Sequence, residues 1–389
     1  MKQIVLRKRN FIVALIPLGI FFTQWAKGYA QVAEKVFATG IYKVLSQGIA
    51  LLTGWLPFSL MEVVIIVGPV TVLALIIRQL VRVFRVKKQP GEEAAEGVGT
   101  RRFVLIMTML QNLLCLVALI FFGYVLLCGV NYHRYPVAYH LGLTVENSTV
   151  DDLEGLLIEL ADRATALRGE LTTENEDGVY ILPFSKQTLG KEAKRAYEKL
   201  AEEYAIFGGL YPAPKHVFFS RIMSYTEITG VFTPWTMEAN VNVDISPYSI
   251  GSTMCHELAH LRGFMREDEA NYISYRACMA SDSKDLQYSG TMLALIHTGN
   301  ALYGKDAERY YTVYQEHYSE AVSRDLVANN NYWDQFEKPV VGDTSIGEIA
   351  DKVNDTYLKI NDQTDGTQSY GRVVDLLLAE YKQRRNQAH

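Results

Sequence analysis

Two stretches of this chain, Leu60 to Leu80 and Phe103 to Val130, are long and apolar enough to cross a lipid bilayer. That property restricts their backbone more than any other feature of the sequence. Inside a bilayer no water can bond a free peptide group, so a segment of this kind must close its hydrogen bonds within itself, as a helix. A third run, Phe11 to Trp25, is interrupted only by Thr23 and Gln24 and follows Lys2, Arg7, Lys8 and Arg9. A basic start and an apolar run also describe a cleavable signal peptide, but two later spans favour a first membrane helix at about residues 11–26. The second span opens on a Ser59-x-x-Glu62 capping box and is expected to bend at Gly68-Pro69.

Basic residues set the expected orientation. Arg78, Arg82, Arg85, Lys87, Lys88, Arg101 and Arg102 cluster in and around a loop at 81–102, and others precede the first span. The positive-inside rule puts both groups in the cytoplasm and residues 131–389 outside the cytoplasmic membrane. Between the first two spans, Gly28 to Pro57 is only partly apolar, and Val44 to Leu56 is read as lying in the interface. Were that piece to cross, the side assigned to residues 131–389 would invert. A net charge of -5 offers no basic excess for nucleic acid, so the bilayer is the partner that composition supports. The mean hydropathy of +0.02 is what an apolar anchor averaged with a polar domain would give.

Within the polar part, His256, Glu257, Leu258, Ala259 and His260 spell HELAH. With 8 histidines in 389 residues, an HExxH pattern arises by accident roughly one time in a hundred. On a helix, residues four apart share a face, so His256 and His260 can present two imidazoles to one Zn2+ ion. Glu257 is rotated by about 100°, which places its carboxylate beside the metal as a general base rather than on it.

The flanks extend the reading. Ser246 and Pro247 look like an N-cap and first helical residue, and Gly263 looks like the stop, giving a helix over 247–262. A second helix is expected from near Glu267. There Glu267, Ala270 and Asn271 form an ExxAN pattern that resembles the downstream helix of gluzincin metallopeptidases. That resemblance implies Glu267 as third metal ligand, with Asn271 orienting a metal-bound histidine. Glu269 lies close enough to compete. The HxxGF piece is also similar to metzincins, but their third histidine would fall at Arg266, which stays protonated and cannot be a ligand.

From Met237 to Asp244 apolar and polar residues alternate, which predicts a half-buried strand with Met237, Ala239, Val241 and Val243 inward. In gluzincin-like peptidases a strand in this place pairs with extended substrate, so Asn240 and Asn242 on its other face are the candidate substrate-binding residues. An ordinary sheet strand with a solvated face is the alternative. Helices are expected at about 149–167, 191–204, 288–302, 307–321 and 372–384, and strands near 180–182, 217–219 and 231–244. Cys115 and Cys128 belong to the third span, while Cys255 and Cys278 are read as buried thiols with a disulfide as the alternative.

Several pieces of this sequence together resemble a bacterial family of membrane-anchored proteins known only as a domain of unknown function, number 3810. They include Pro57-Phe58-Ser59-Leu60, Asn131-Tyr132 with Arg134, Glu238 to Asn242, HELAH, Gly263-Phe264, Arg266 to Asn271, and Tyr357-Leu358-Lys359 through Ser369 to Arg372. The resemblance implies an extracytoplasmic, peptidase-like domain and no particular substrate.

The expected fold is a three-helix transmembrane anchor, residues 1–130, followed by a mostly helical α+β, gluzincin-like zinc metallopeptidase domain, residues 131–389. Its substrates would be peptides or proteins at the cell envelope. Tyr370 is the candidate for stabilising the oxyanion, with His297 and His317 as rivals. The competing reading is a membrane-anchored sensor or binding module whose zinc site is structural, closed by a fourth ligand such as His297. Nothing in the sequence constrains the oligomeric state.

Overall fold

The computed structural model describes residues 10–87, 96–336, 345–361, 363 and 372–388. Four apolar helices come first. A short turn, Asn10–Val13, leads into α1 (Leu15–Gly28), followed by α2 (Ala30–Gly54), α3 (Leu60–Phe84) and α4 (Glu96–Leu127). By length and composition each of the four could cross a membrane, one more than the sequence suggests. The extra helix is α2. It runs unbroken through the segment expected to rest in the interface, and its middle, Ala33–Tyr42, is wound as a π-helix.

One side of α2 is bonded along its length to the rest of the protein. Glu34 is clamped by Arg134 at 2.7 and 2.9 Å with both side chains buried. Tyr42 donates to the carbonyls of His260 and Leu261, Ser46 meets the Tyr211 hydroxyl at 3.2 Å, and the Thr53 carbonyl accepts from Lys215 at 2.7 Å. The opposite side leaves Val44, Leu52 and Trp55 exposed. An apolar composition alone does not distinguish a helix surrounded by lipid from one with a single face against protein.

After α4 the chain is mostly helical with a small sheet. In order come α5 (Val150–Glu170), α6 (Lys186–Glu203), β1 (Lys215–His216), β2 (Gly230–Thr233), β3 (Glu238–Val241), α7 (Pro247–Leu261) and α8 (Glu267–Ala280). Then follow α9 (Lys284–Lys305), α10 (Ala307–His317), α11 (Glu320–Asp334), α12 (Ile346–Ile360) and α13 (Val373–Ala388). Helices α7, α8 and α9 pack on one another, α5 and α6 flank them, and the sheet lies against α7. The core between them is built from Leu153, Leu157, Met254, Leu258, Ile273 and Leu295, all buried.

The strand order is β1-β3-β2, with β3 parallel to β1 and antiparallel to β2. The stretch expected as a strand over 231–244 is therefore a hairpin that turns at Pro234-Trp235. Met237 takes a φ of 48° just before β3. Being central, β3 has no free edge, and both its faces are covered. The polar face read as substrate-binding, with a solvated face as the alternative, carries Glu238, Asn240 and Asn242, and all three are buried. Its polarity has an internal purpose. Glu238 accepts from the Leu60 and Met61 amides at 3.0 and 2.9 Å, capping the start of α3 where four peptide donors lack helical partners.

Other sequence expectations shift for local reasons. Helix α6 starts at Lys186 because Ser185 accepts from the Thr188 amide. The single helix over 307–321 is two helices, since Ser319 caps a new one by accepting from Val322. At Tyr180 there is only an isolated bridge to Glu174. Ser59 does cap α3, but the Glu62 carboxylate does not complete the box; it accepts from the Phe218 and Phe219 amides at 2.9 and 3.0 Å instead.

A buried ion pair ties α5 to α11. Asp325, 1% exposed, accepts from Arg168 Nε at 2.7 Å, the Tyr180 amide at 2.8 Å and the Tyr288 hydroxyl at 2.7 Å. Removing the carboxylate would leave the buried Arg168 guanidinium balanced by the more exposed Glu174, 2.8 Å away, and would take the acceptor from the Tyr180 amide and the Tyr288 hydroxyl. Asp325→Ala is expected to cost about 3–5 kcal/mol, seen as a lower midpoint in thermal unfolding of the full chain in detergent. A loss under about 1 kcal/mol would show that the pair does not hold these helices together.

Candidate metal centre

The site begins with how α7 ends. Pro247 stands in its first turn, but Ser246 makes no side-chain cap; its hydroxyl donates to Asn329 Oδ1 at 2.7 Å. At the other end Gly263 adopts a φ of 87°, a left-handed conformation that glycine takes without the steric cost a Cβ brings. The turn folds back so that the Phe264 amide reaches the Ala259 carbonyl at 3.2 Å and the Gly263 amide reaches the His260 carbonyl at 2.8 Å. This reversal aims the Phe264 carbonyl at His260 Nδ1, 2.7 Å away.

That contact fixes the histidine. A carbonyl oxygen only accepts, so Nδ1 of His260 carries the proton and, in the neutral ring, Nε2 presents a bare lone pair. His256 is held the same way, with Nδ1 2.8 Å from Asn271 Oδ1. The two Nε2 atoms then face each other at 3.0 Å. Two lone pairs at that distance repel unless a proton or a cation lies between them. Glu267 completes the cluster, with Oε2 3.1 Å from His256 Nε2 and Oε1 3.6 Å from His260 Nε2.

These three residues form the group of donors among the described residues that could hold a metal ion. Ligands bound tetrahedrally at about 2.0–2.1 Å are separated by about 3.3–3.4 Å, so spacings of 3.0, 3.1 and 3.6 Å need little adjustment. Two imidazoles and one carboxylate suit zinc, while iron, cobalt and nickel accept the same donors. Without a cation the cluster behaves as an ion pair. Burial pulls the His260 imidazolium down, but Glu267 more than offsets this and carries it up to about 9. Against its own burial, the same pairing holds Glu267 well below the usual carboxylate range.

Glu269, the rival ligand, is engaged elsewhere. Its Oε1 accepts from the Val137 amide at 2.9 Å and from Arg266 at 2.7 Å. His297 is partly buried and lies near enough to feel the charge on His256, but it is not among the three converging donors; loss of hydration around its ring pushes its pKa down to about 4. His317 pairs with Asp162 at 2.8 Å, away from the cluster. Cys255 and Cys278 are both free thiols. Tyr370 lies outside the described residues.

Glu257 sits beside the cluster, 4% exposed, and its Oε2 has no hydrogen-bond partner among the described residues. Burial pushes its carboxyl up to about 7, against the pull of the two histidines. The backbone of β2 closes on it from one side. A Cβ at Gly230 would collide with Glu257 Oε1 and come within 2.8 Å of Thr253 Cγ2, and the Phe232 amide bonds the Glu257 carboxylate. The Phe232 ring lies 6.2 Å from that of His260.

Asn240 and Asn242 do not reach this space. Asn242 donates to Ser224 Oγ and the Ile228 carbonyl, both at 3.0 Å, and Asn240 turns to the Val231 and Glu238 carbonyls at 3.4 and 3.2 Å. The strand beside the cluster is β2. Gly230, Phe232 and the Phe264 carbonyl were not singled out from the sequence. Only Gly230 carried a signal, a glycine immediately before the strand expected from Val231.

The end of α4 borders the site. Arg266 Nε donates to the Tyr132 carbonyl at 3.3 Å, Cys128 contacts Met265 at 3.7 Å, and the Tyr132 and Tyr357 hydroxyls lie 3.2 Å apart. Comparison with known proteins gives one family, described as protein of unknown function (DUF3810), matching residues 37–378. No curated protein and no solved structure matches the chain.

Proposed function

The chain belongs to the DUF3810 family, and from that premise we propose that it is a membrane-anchored, zinc-dependent peptidase of gluzincin-like type. The observation that carries this reading is the pair of imidazoles, each held by a carbonyl oxygen on Nδ1 so that both Nε2 atoms converge with Glu267, next to a buried Glu257 with a free oxygen. His256, His260 and Glu267 would hold the ion. A zinc ion in that position supplies Lewis acidity and lowers the pKa of water.

The protein's own groups do the rest. Glu257 Oε2 takes a proton from the water that attacks the peptide carbonyl carbon, and returns it to the amine nitrogen as the C–N bond breaks. The products are a carboxylate and an amine. Substrate backbone would lie along β2, the edge strand next to Glu257, in place of the Asn240 and Asn242 contacts anticipated from the sequence. A structural zinc site would be closed by a fourth protein donor, whereas three converge here among the described residues.

Anchoring follows the helices. The bonds of α2 to Arg134, His260, Tyr211 and Lys215 fit a helix lying along the catalytic part in the interface, with α1, α3 and α4 crossing. With the basic loop between α3 and α4 in the cytoplasm, the start of α3 and the end of α4 meet the site on the outer side.

Gly230 offers a test confined to the base. Gly230→Ala pushes a methyl into Glu257 without touching the three donors. It is expected to lower cleavage of a peptide mixture by at least tenfold while metal content stays at the wild-type level. Unchanged cleavage would mean that Glu257 is not held in place by β2.

A further inference from the structure

The sheet edge beside Glu257 is aligned with the membrane anchor. The outer strand β2 begins at Gly230, against Glu257, and the turn that follows it carries Trp235 onto α4. There Trp235 Nε1 donates to the Ile120 carbonyl at 3.2 Å, and its ring lies 6.4 Å from that of Tyr124. Ile120 stands seven residues before Leu127, the last residue of α4, so this contact lies about 10 Å down the apolar helix. From Gly230 to Thr233 the extended strand covers about 10 Å, and the turn that follows brings Trp235 to α4. One end of β2 is thus at Glu257, and the turn beyond its other end rests on the apolar helix α4.

A second apolar region sits at the start of α3. Glu62, in the first turn of α3, holds the Phe218 and Phe219 amides, and Phe218 is 86% exposed with Ile222 exposed beside it. On α4 itself Leu116, Leu119 and Ile120 are exposed, as is Trp235 in the turn after β2. Exposed aromatic and aliphatic side chains tied to the outer ends of two spanning helices form a surface suited to the acyl boundary, where tryptophan is favoured.

We propose that the substrate is the juxtamembrane segment of a membrane-anchored polypeptide, which leaves the bilayer beside α4 and pairs as an extended strand with the outer edge of β2. This deepens the peptidase reading and rests on it. A strand laid on that edge runs from the lipid-facing side of α4 up to Glu257, so the bond that is cut lies close to the membrane surface. Among the described residues no strand pairs with that edge.

The test uses the full chain in liposomes with a co-reconstituted probe, a single Leu/Ala transmembrane helix carrying a 40-residue polar, unstructured outer segment. In the Glu257→Gln protein, p-benzoylphenylalanine replaces Val231 as a photo-crosslinker; the protein without the crosslinker is used for cleavage. Mass spectrometry maps crosslinks and cuts along the probe. The expected crosslinks and cuts fall within about ten residues of the probe's helix. Crosslinks spread evenly along the segment, or none, would overturn the inference. Cuts spread evenly would overturn it while leaving the peptidase reading intact. Crosslinks confined to the membrane end with no cuts would support the docking and overturn the peptidase reading.

Discussion

Replacing Glu257 by Gln is expected to lower peptide hydrolysis by about 10²–10⁴-fold while leaving the metal content unchanged. The amide keeps the shape of the side chain and can still accept the Phe232 amide, so the packing against Gly230 and Thr253 survives. What it loses is the ability to take up a proton at Oε2, the buried atom without a partner. The metal is spared because its three donors lie elsewhere. The measurement is the appearance of new amino termini from a peptide mixture, with metal quantified in the same preparations. Equal rates for the two proteins would eliminate Glu257 as the base.

Loss of one donor should act on the other half of the site. His260→Ala removes an imidazole oriented by the Phe264 carbonyl and leaves His256 and Glu267 to hold the ion alone. Metal affinity should fall by more than the about 10–100-fold that loss of an outer hydrogen-bond partner costs. Asn271→Ala supplies that smaller reference, since it deletes only the acceptor on His256 Nδ1. The ordering is the prediction: His260→Ala weaker than Asn271→Ala, and both weaker than wild type, in a titration of the metal-stripped full chain. If Asn271→Ala binds as tightly as wild type, the orientation of His256 does not depend on that amide. If His260→Ala does so, the donor set is wrong.

The parts of this site visible in the sequence are the ones governed by short spacing. Four residues separate His256 from His260, Gly263 ends the helix, and Glu267 and Asn271 lie on one face of the next, all within sixteen residues of one another. What remained hidden depends on backbone groups and distant neighbours. The carbonyl that fixes His260 belongs to Phe264, and the peptide that closes on Glu257 belongs to Gly230 and Phe232; a main-chain atom leaves no residue signature.

β3 misled for another reason. Its alternation was real, but the polar face is covered because Glu238 caps α3, nearly 180 residues away in sequence. The same long-range economy explains Ser59 and Glu62. The serine caps its own helix, while the glutamate, read as half of a local box, reaches across to Phe218 and Phe219. These two carboxylates bind the sheet region directly to the start of α3, a helix apolar and long enough to cross a membrane. The part that carries the candidate metal centre is therefore bonded directly to the start of α3.

For α2, the exposed residues and most of those packed against the protein are drawn from the same apolar set, so composition does not show which face is covered. Glu34, Tyr42 and Ser46 are the informative positions, each buried and each bonded to a residue beyond the anchor.

The convergence of His256, His260 and Glu267 on one ion is the claim from which the rest follows. Its most direct test is the metal content of the full chain, purified in detergent and dialysed against metal-free buffer. The account predicts one tightly held zinc per chain, lost on replacement of His256, His260 or Glu267 and retained in Glu257→Gln. A protein that takes up no divalent metal, or one whose metal survives loss of those donors, would contradict it.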